Sequence, residues 1–229
     1  MLTAVDLPNG QSVSARQYDA DEAARLHATL ILGHGAGAGQ LSPFMTNFSR
    51  ALAARGVDVI TFNFPYMERK AKVPDRSEVL EACYAAVIAA VAATDRLGAQ
   101  PLFIGGKSLG GRMASHLAAR VDTLALPPRG VVFLGYPLHP PGKPDQLRVS
   151  HWDRIAAPLL FVQGTRDAFG SADEIAPHLS RLSVPVEIYR VERGDHSLAV
   201  PKNAGVSGAE SMRAIEDAVA AWIRRLTVS

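Results

Sequence analysis

Cysteine is nearly absent. Cys83 is the single cysteine among 229 residues, so no internal disulfide can staple the chain, which fits a reducing cytosol. Neither a histidine nor another activating group adjoins Cys83, and packing inside a helix is its expected role. An excess of charge is missing as well: the formal net charge is +2, which lends no support to nucleic-acid or membrane binding. No apolar run reaches the ~20 residues of a spanning helix; the alanine-rich stretch at 82–93 is too short and opens beside charges. The start, Met1-Leu2-Thr3-Ala4-Val5-Asp6, lacks the basic residues and long apolar core of a signal peptide. A cytoplasmic location is therefore expected. No linker rich in proline, serine or glycine divides the chain, so one domain over 1–229 is expected. His27, His116, His151 and His178 lack ligand-like spacing, and neither a metal nor another cofactor is expected.

What is present is a regular alternation. Residues 2–7 and 11–18 are expected to form two strands joined at Pro8-Asn9-Gly10, whose Asn-Gly pair suits a tight hairpin turn. Apolar runs at 28–32, 57–62, 101–105, 130–135, 158–162 and 184–189 are further strands. Helices are expected over 44–55, 77–97 (capped by Ser77, with Glu81 in its first turns), after Ser108, over 172–182 and over 209–226. Continuous apolar strands alternating with helices predict an α/β fold: a mostly parallel sheet of about eight strands with helices on both faces. In such sheets ligands bind beyond the carboxyl ends of the strands.

The most informative of those ends is Gly106-Lys107-Ser108-Leu109-Gly110, between the 101–105 strand and a helix beginning near Gly111. A serine flanked by glycines in a strand–turn–helix setting is a nucleophile elbow. The turn is too tight for side chains beside the serine, whose hydroxyl is left standing clear. Gly106-Lys107-Ser108 also resembles the end of a phosphate-binding loop, but the glycine that loop needs five positions earlier is Pro101, at the start of a strand. Extended chain cannot curl its amides round a phosphate, so that reading falls.

The loop after the 28–32 strand is Gly33-His34-Gly35-Ala36-Gly37-Ala38-Gly39. Its bare backbone can approach a ligand, and the Ala36 amide, with that of Leu109 beyond the nucleophile, is the expected oxyanion hole. Gly33, Gly35 and Ala38 also fall at the dinucleotide-binding spacing. However, Ser42-Pro43 starts the helix too late, and the next strand ends in Phe62-Asn63-Phe64-Pro65 with no acid. His34 is expected to order this loop rather than to titrate in catalysis.

The loop after 158–162 carries Asp167, and the loop after 184–189 carries His196. Ser108, Asp167 and His196 thus stand at three strand ends in the chain order of a known catalytic triad. A serine hydroxyl is a poor nucleophile until a base takes its proton, and the acid fixes the imidazole tautomer. Asp195, the rival acid, adjoins His196 and is expected to hold its own loop through an Asx-type bond.

Four stretches carry a family resemblance: Gly105-Gly106-Lys107-Ser108-Leu109-Gly110-Gly111-Arg112-Met113-Ala114-Ser115; Leu134-Gly135-Tyr136-Pro137-Leu138-His139-Pro140-Pro141-Gly142-Lys143-Pro144; Gln163-Gly164-Thr165-Arg166-Asp167-Ala168-Phe169-Gly170; and Gly194-Asp195-His196-Ser197. From about His34 to the last helix, the chain resembles the KANL/testis-expressed α/β-hydrolase-like family and, more distantly, dienelactone-hydrolase-like enzymes. The resemblance implies the α/β-hydrolase fold and the triad Ser108, Asp167, His196, but no particular substrate. Ser108 stands where a dienelactone hydrolase has cysteine, which argues against that reaction. Some relatives serve as subunits of chromatin-modifying assemblies, so the alternative is a non-catalytic binding or scaffold protein with a protein partner.

Residues 136–157, between two strands where related enzymes insert lids, are too few for a cap domain. A shallow, open pocket shaped by Pro65-Tyr66-Met67, the His139 loop and Trp152 is expected, suited to small or short-chain esters. Tyr66, His139 and Lys107 are the expected substrate-binding residues. For Lys107 and Arg112, with Arg69, Lys70 and Lys72 nearby, two roles stand open: attraction of acidic acyl substrates, or bracing of the elbow.

Overall fold

The computed structural model describes residues 2–228. Eight strands form one sheet: β1 (Ala4–Asp6), β2 (Ser12–Tyr18), β3 (Ala28–Gly33), β4 (Val57–Phe62), β5 (Leu102–Lys107), β6 (Gly130–Leu134), β7 (Leu159–Gly164) and β8 (Val186–Val191). Their spatial order is β1-β2-β4-β3-β5-β6-β7-β8. β1 and β2 run antiparallel to their neighbours, and β3 to β8 are parallel.

The unbroken apolar strands follow from burial on both faces. Successive side chains alternate across a strand, and here each direction meets helices. Ile31, Ile60, Ile104 and Phe133 face the layer containing α3 (Ser77–Ala92) and α5 (Leu109–Ala118). Leu30, Val59, Phe103 and Val132 face the layer of α1 (Pro43–Ala53) and α7 (Gly208–Thr227). The short α2 (Pro65–Glu68) and α4 (Asp95–Gly98), and α6 (Ala172–Leu179), complete the helices.

Several boundaries differ from expectation. The helix over 77–97 is two elements: α3 stops at Ala92, and the Thr94 hydroxyl donates to the Ala90 carbonyl at the break. Ser77 does not cap it. Arg76 holds the cap position, while Ser77 is the first helical residue, its hydroxyl 3.4 Å from an Arg112 guanidinium nitrogen. Glu81 pairs instead with His116 and Arg120. β5 runs on to Lys107, so Gly106 and Lys107 are strand residues rather than turn residues. β7 and β8 likewise reach Gly164 and Val191, and α6 ends at Leu179, short of 182.

Between β6 and β7 the chain makes only a single-turn helix at Trp152–Arg154. No large cap covers the carboxyl ends of the strands. Among the described residues no helix is long and apolar enough to cross a membrane.

Candidate active site

Ser108 sits between the last residue of β5 and the first of α5, with φ +49° and ψ −109°. A side chain there pays a strain cost of order 1–3 kcal/mol, which persists only where the surroundings enforce it. Backbone bonds enforce it here: the Ser108 amide donates to Leu134 O at 3.1 Å, and Ser108 O accepts from the Arg112 amide at 3.0 Å.

The loops after β7 and β8 bring two side chains to this serine. His196 Nε2 lies 2.8 Å from Ser108 Oγ, and its Nδ1 lies 2.8 Å from Asp167 Oδ2 and 3.0 Å from Oδ1. The buried Asp167 carboxylate also accepts from Gln163 Nε2 and from the Phe169 amide, each at 2.8 Å. With the carboxylate an acceptor, Nδ1 carries the imidazole proton, and Nε2 is left as the acceptor for the Ser108 hydroxyl. The ring of Phe169 stacks on His196 at 4.1 Å and 27°. Asp195 takes no part in this line: its Oδ1 accepts from the amides of Ser197 at 2.8 Å and Ala199 at 3.0 Å.

Leu109 opens α5, where an amide has no intrahelical partner. Among the described residues neither the Leu109 nor the Ala36 amide donates to a protein acceptor. The loop bearing Ala36 is fastened from beneath. His34, fully buried, has Nδ1 2.8 Å from Gly35 O, while its Nε2 accepts from the Phe64 amide at 3.0 Å. Burial, which outweighs the pull of the Gly35 carbonyl and Glu68, lowers the His34 pKa to about 4, so the ring is neutral at neutral pH.

Ser108 opens onto a cavity of about 430 Å³. Ala36 and Lys107 line it, as do residues 43–45 of α1, Phe169 and His196. Tyr66 does not. It is fully buried beneath the loop, its hydroxyl donating to Ala36 O at 3.0 Å. Burial, with a smaller push from Asp75, raises its pKa to about 12. His139 is also outside the cavity, buried with Nδ1 2.9 Å from Pro140 O and Nε2 3.3 Å from Glu174. Trp152 is fully buried, donating to the Tyr136 hydroxyl at 3.2 Å. The expected walls are thus replaced by the start of α1.

Lys107 does line the cavity, yet its ammonium donates to the carbonyl of His196. Arg112, the other elbow cation, reaches Ser77. Three contributors carried no expectation from sequence: Gln163, which holds Asp167; Phe169, which stacks on the base; and Phe44, a wall of the cavity. Only adjacence to the expected acid could have singled out the first two. Among the described residues, no group of three or more His, Cys, Asp and Glu side chains is placed to hold a metal ion.

A mostly parallel sheet flanked by helices on both sides, with an elbow serine after β5 and no large cap, defines an α/β-hydrolase. The model of the alpha/beta hydrolase domain family matches residues 26–224, and the chain belongs to that family. Among solved structures it is similar to an α/β serine hydrolase without a lid from Xanthomonas campestris, at 19% identity and TM-score 0.74, covering 99% of this chain and 94% of that one. It is similar to a dienelactone hydrolase from Anabaena variabilis, at 16% identity and TM-score 0.73, covering 98% and 96%. The esterase domain of a Rhodothermus marinus protein matches at 16% identity and TM-score 0.69, covering 97% and 96%. At these identities the likeness to solved structures is one of fold.

Proposed function

We propose that this chain is a serine hydrolase that cleaves a small ester, thioester or similarly activated acyl group through an acyl-enzyme. The observation that carries the reading is the unbroken hydrogen-bonded line Ser108–His196–Asp167 at the floor of an open cavity. A scaffold has no physical need for that line.

Ser108 Oγ attacks the carbonyl carbon while its proton passes to His196 Nε2. Asp167, held by Gln163 and the Phe169 amide, keeps the ring in the required tautomer and stabilises its protonated form. The Leu109 and Ala36 amides receive the oxyanion, a contribution of about 3–4 kcal/mol per donor in comparable sites. His196 then returns the proton to the leaving group, and water repeats the sequence in reverse to free the acid. The apolar wall of Phe44, Met45 and Phe169, with no cap above it, suits small acyl groups better than long chains.

The finer placement within the KANL/testis-expressed group is our reading of the elbow and Tyr136-Pro137-Leu138-His139 motifs. A substrate does not follow from it.

Turnover of p-nitrophenyl acetate tests the reaction. The wild type is expected to release p-nitrophenolate with a pre-steady-state burst. Ser108→Ala should lose it to the level of the uncatalysed reaction, with melting unchanged within about 2 °C. Equal turnover by Ser108→Ala would refute the reading.

A further inference from the structure

The acyl chemistry above makes no use of Lys107, the residue directly before the nucleophile. Its side chain passes along the cavity wall and ends against Gly135, at φ +68° beyond the carboxyl end of β6. A β-carbon at Gly135 would lie 2.9 Å from His196 O and 3.0 Å from Lys107 Nζ, so only a glycine leaves room for the two to meet. The ammonium donates to that carbonyl. The charged groups facing it are Asp167, from the loop after β7, and Asp195, from the loop after β8. Burial lowers the Lys107 pKa to about 8 against the opposing pull of those two carboxylates, which still leaves the cation predominant at neutral pH.

His196 lies in a loop, five residues past the end of β8. Backbone bonds tie its neighbours Gly194 and Asp195 (Arg166 N–H to Gly194 O at 2.9 Å, Asp195 N–H to Ala199 O at 3.0 Å), but among the described residues the His196 amide and carbonyl make no backbone bond. Its ring is held by Asp167 at Nδ1 and by Phe169 on one face. Its backbone needs a separate hold, because a displacement of about 1 Å in a catalytic group can cost 100-fold in rate. Resting on the proposed serine chemistry, we propose that Lys107 is a positioning residue: its ammonium grips the His196 carbonyl and keeps Nε2 on the Ser108 hydroxyl, and it is not a subsite for an anionic substrate group.

The His196 carbonyl takes this ammonium's hydrogen bond, and two carboxylates beyond ion-pair distance offset part of its charge, which leaves less to attract a further anion. Its place in the chain ties the two reacting groups together. The strand that carries the nucleophile also carries the hold on the base.

The test compares full-length wild type with Lys107→Met, Lys107→Arg and Lys107→Gln. Without substrate, the low-field proton resonance of His196 Nδ1–H bonded to Asp167 is followed by NMR. kcat and KM are measured for a neutral acetate ester and for the corresponding hemisuccinate ester, with Tm alongside. Lys107→Met is expected to lose or broaden the resonance and to lower kcat about tenfold for both esters alike. KM should stay within about twofold, and Lys107→Arg should recover part of both losses.

A retained resonance and kcat with a lowered Tm would make Lys107 a simple brace and overturn the proposal. A loss confined to KM for the hemisuccinate would overturn it in favour of an anion subsite. If Lys107→Met does not fold, Lys107→Gln carries the same comparison. Failure of the proposed function would show as absent turnover in the wild type. Failure of the positioning role would show in the resonance, which needs no turnover.

Discussion

Gly33, the last residue of β3, and Gly110, in the first turn of α5, meet backbone to backbone: a β-carbon on Gly33 would lie 3.0 Å from the Gly110 α-carbon, and one on Gly110 would overlap the Gly33 carbonyl. This close approach sets the helix down on the sheet and aims the Leu109 amide beside Ser108. Gly110→Ala is therefore expected to lower stability by about 1–3 kcal/mol through overpacking, or roughly 2–12 °C in Tm, and to reduce kcat. Gly208, with nothing within 4 Å of an added β-carbon, is the control: Gly208→Ala should leave both unchanged or raise Tm slightly. Calorimetry and ester turnover on the two variants decide it; an unaffected Gly110→Ala would contradict this reading of the elbow.

Tyr66 is expected to act through the loop above it rather than on substrate. Removing the hydroxyl in Tyr66→Phe frees the Ala36 carbonyl of its donor and loosens the amide proposed for the oxyanion. We expect kcat to fall several-fold with KM nearly constant, and stability to fall by about 1 kcal/mol. A rise in KM with kcat preserved would return Tyr66 to the substrate-binding role its position in the sequence suggested.

His34 links the same loop to pH. Its folded-state pKa, about 4, lies below the ordinary 6.5, so its stabilising effect is complete above pH 6.5 and is lost as pH falls through about 4. By pH 4 the loss from this group is on the order of 3 kcal/mol. His151, lowered to about 3 by burial and by neighbouring cations, adds to the same fall. The His34 share is the difference between wild type and His34→Gln, whose Tm should start lower at pH 7.5 yet decline less between pH 6.5 and 4. Parallel Tm–pH curves would show that His34 does not carry this linkage.

The parts legible in sequence are the parts that local chain geometry dictates. Largely apolar runs could be satisfied only by strands covered on both faces, and β3 to β7 follow from them; β8, with Glu187 and Arg190 in its length, is an edge strand only partly covered. Ser108, Asp167 and His196 could be picked out because each adjoins a strand end, and a parallel sheet brings such ends to one side. The cavity wall was not legible, since residues 43–45 reach it through the docking of α1 against the sheet. His139 was misplaced because Glu174, 35 residues away, captures its ring. Lys107 could be placed at the elbow, but its turn toward the His196 carbonyl depends on the loop after β8 and on the space that Gly135 leaves. The break in the helix over 77–97 was hidden because good helix formers stand on both sides of Thr94, alanines before it and Arg96-Leu97 after it.

The most direct test of the central claim is covalent labelling with a fluorophosphonate probe, followed by peptide mapping of the modified residue. Wild-type protein should be labelled at one serine, Ser108, and labelling should be slowed at least 100-fold in His196→Ala and lost in Ser108→Ala, each variant checked for native melting. Labelling that persists undiminished in Ser108→Ala, or a folded wild type that the probe leaves unmodified, would contradict the assignment of Ser108 as an activated nucleophile.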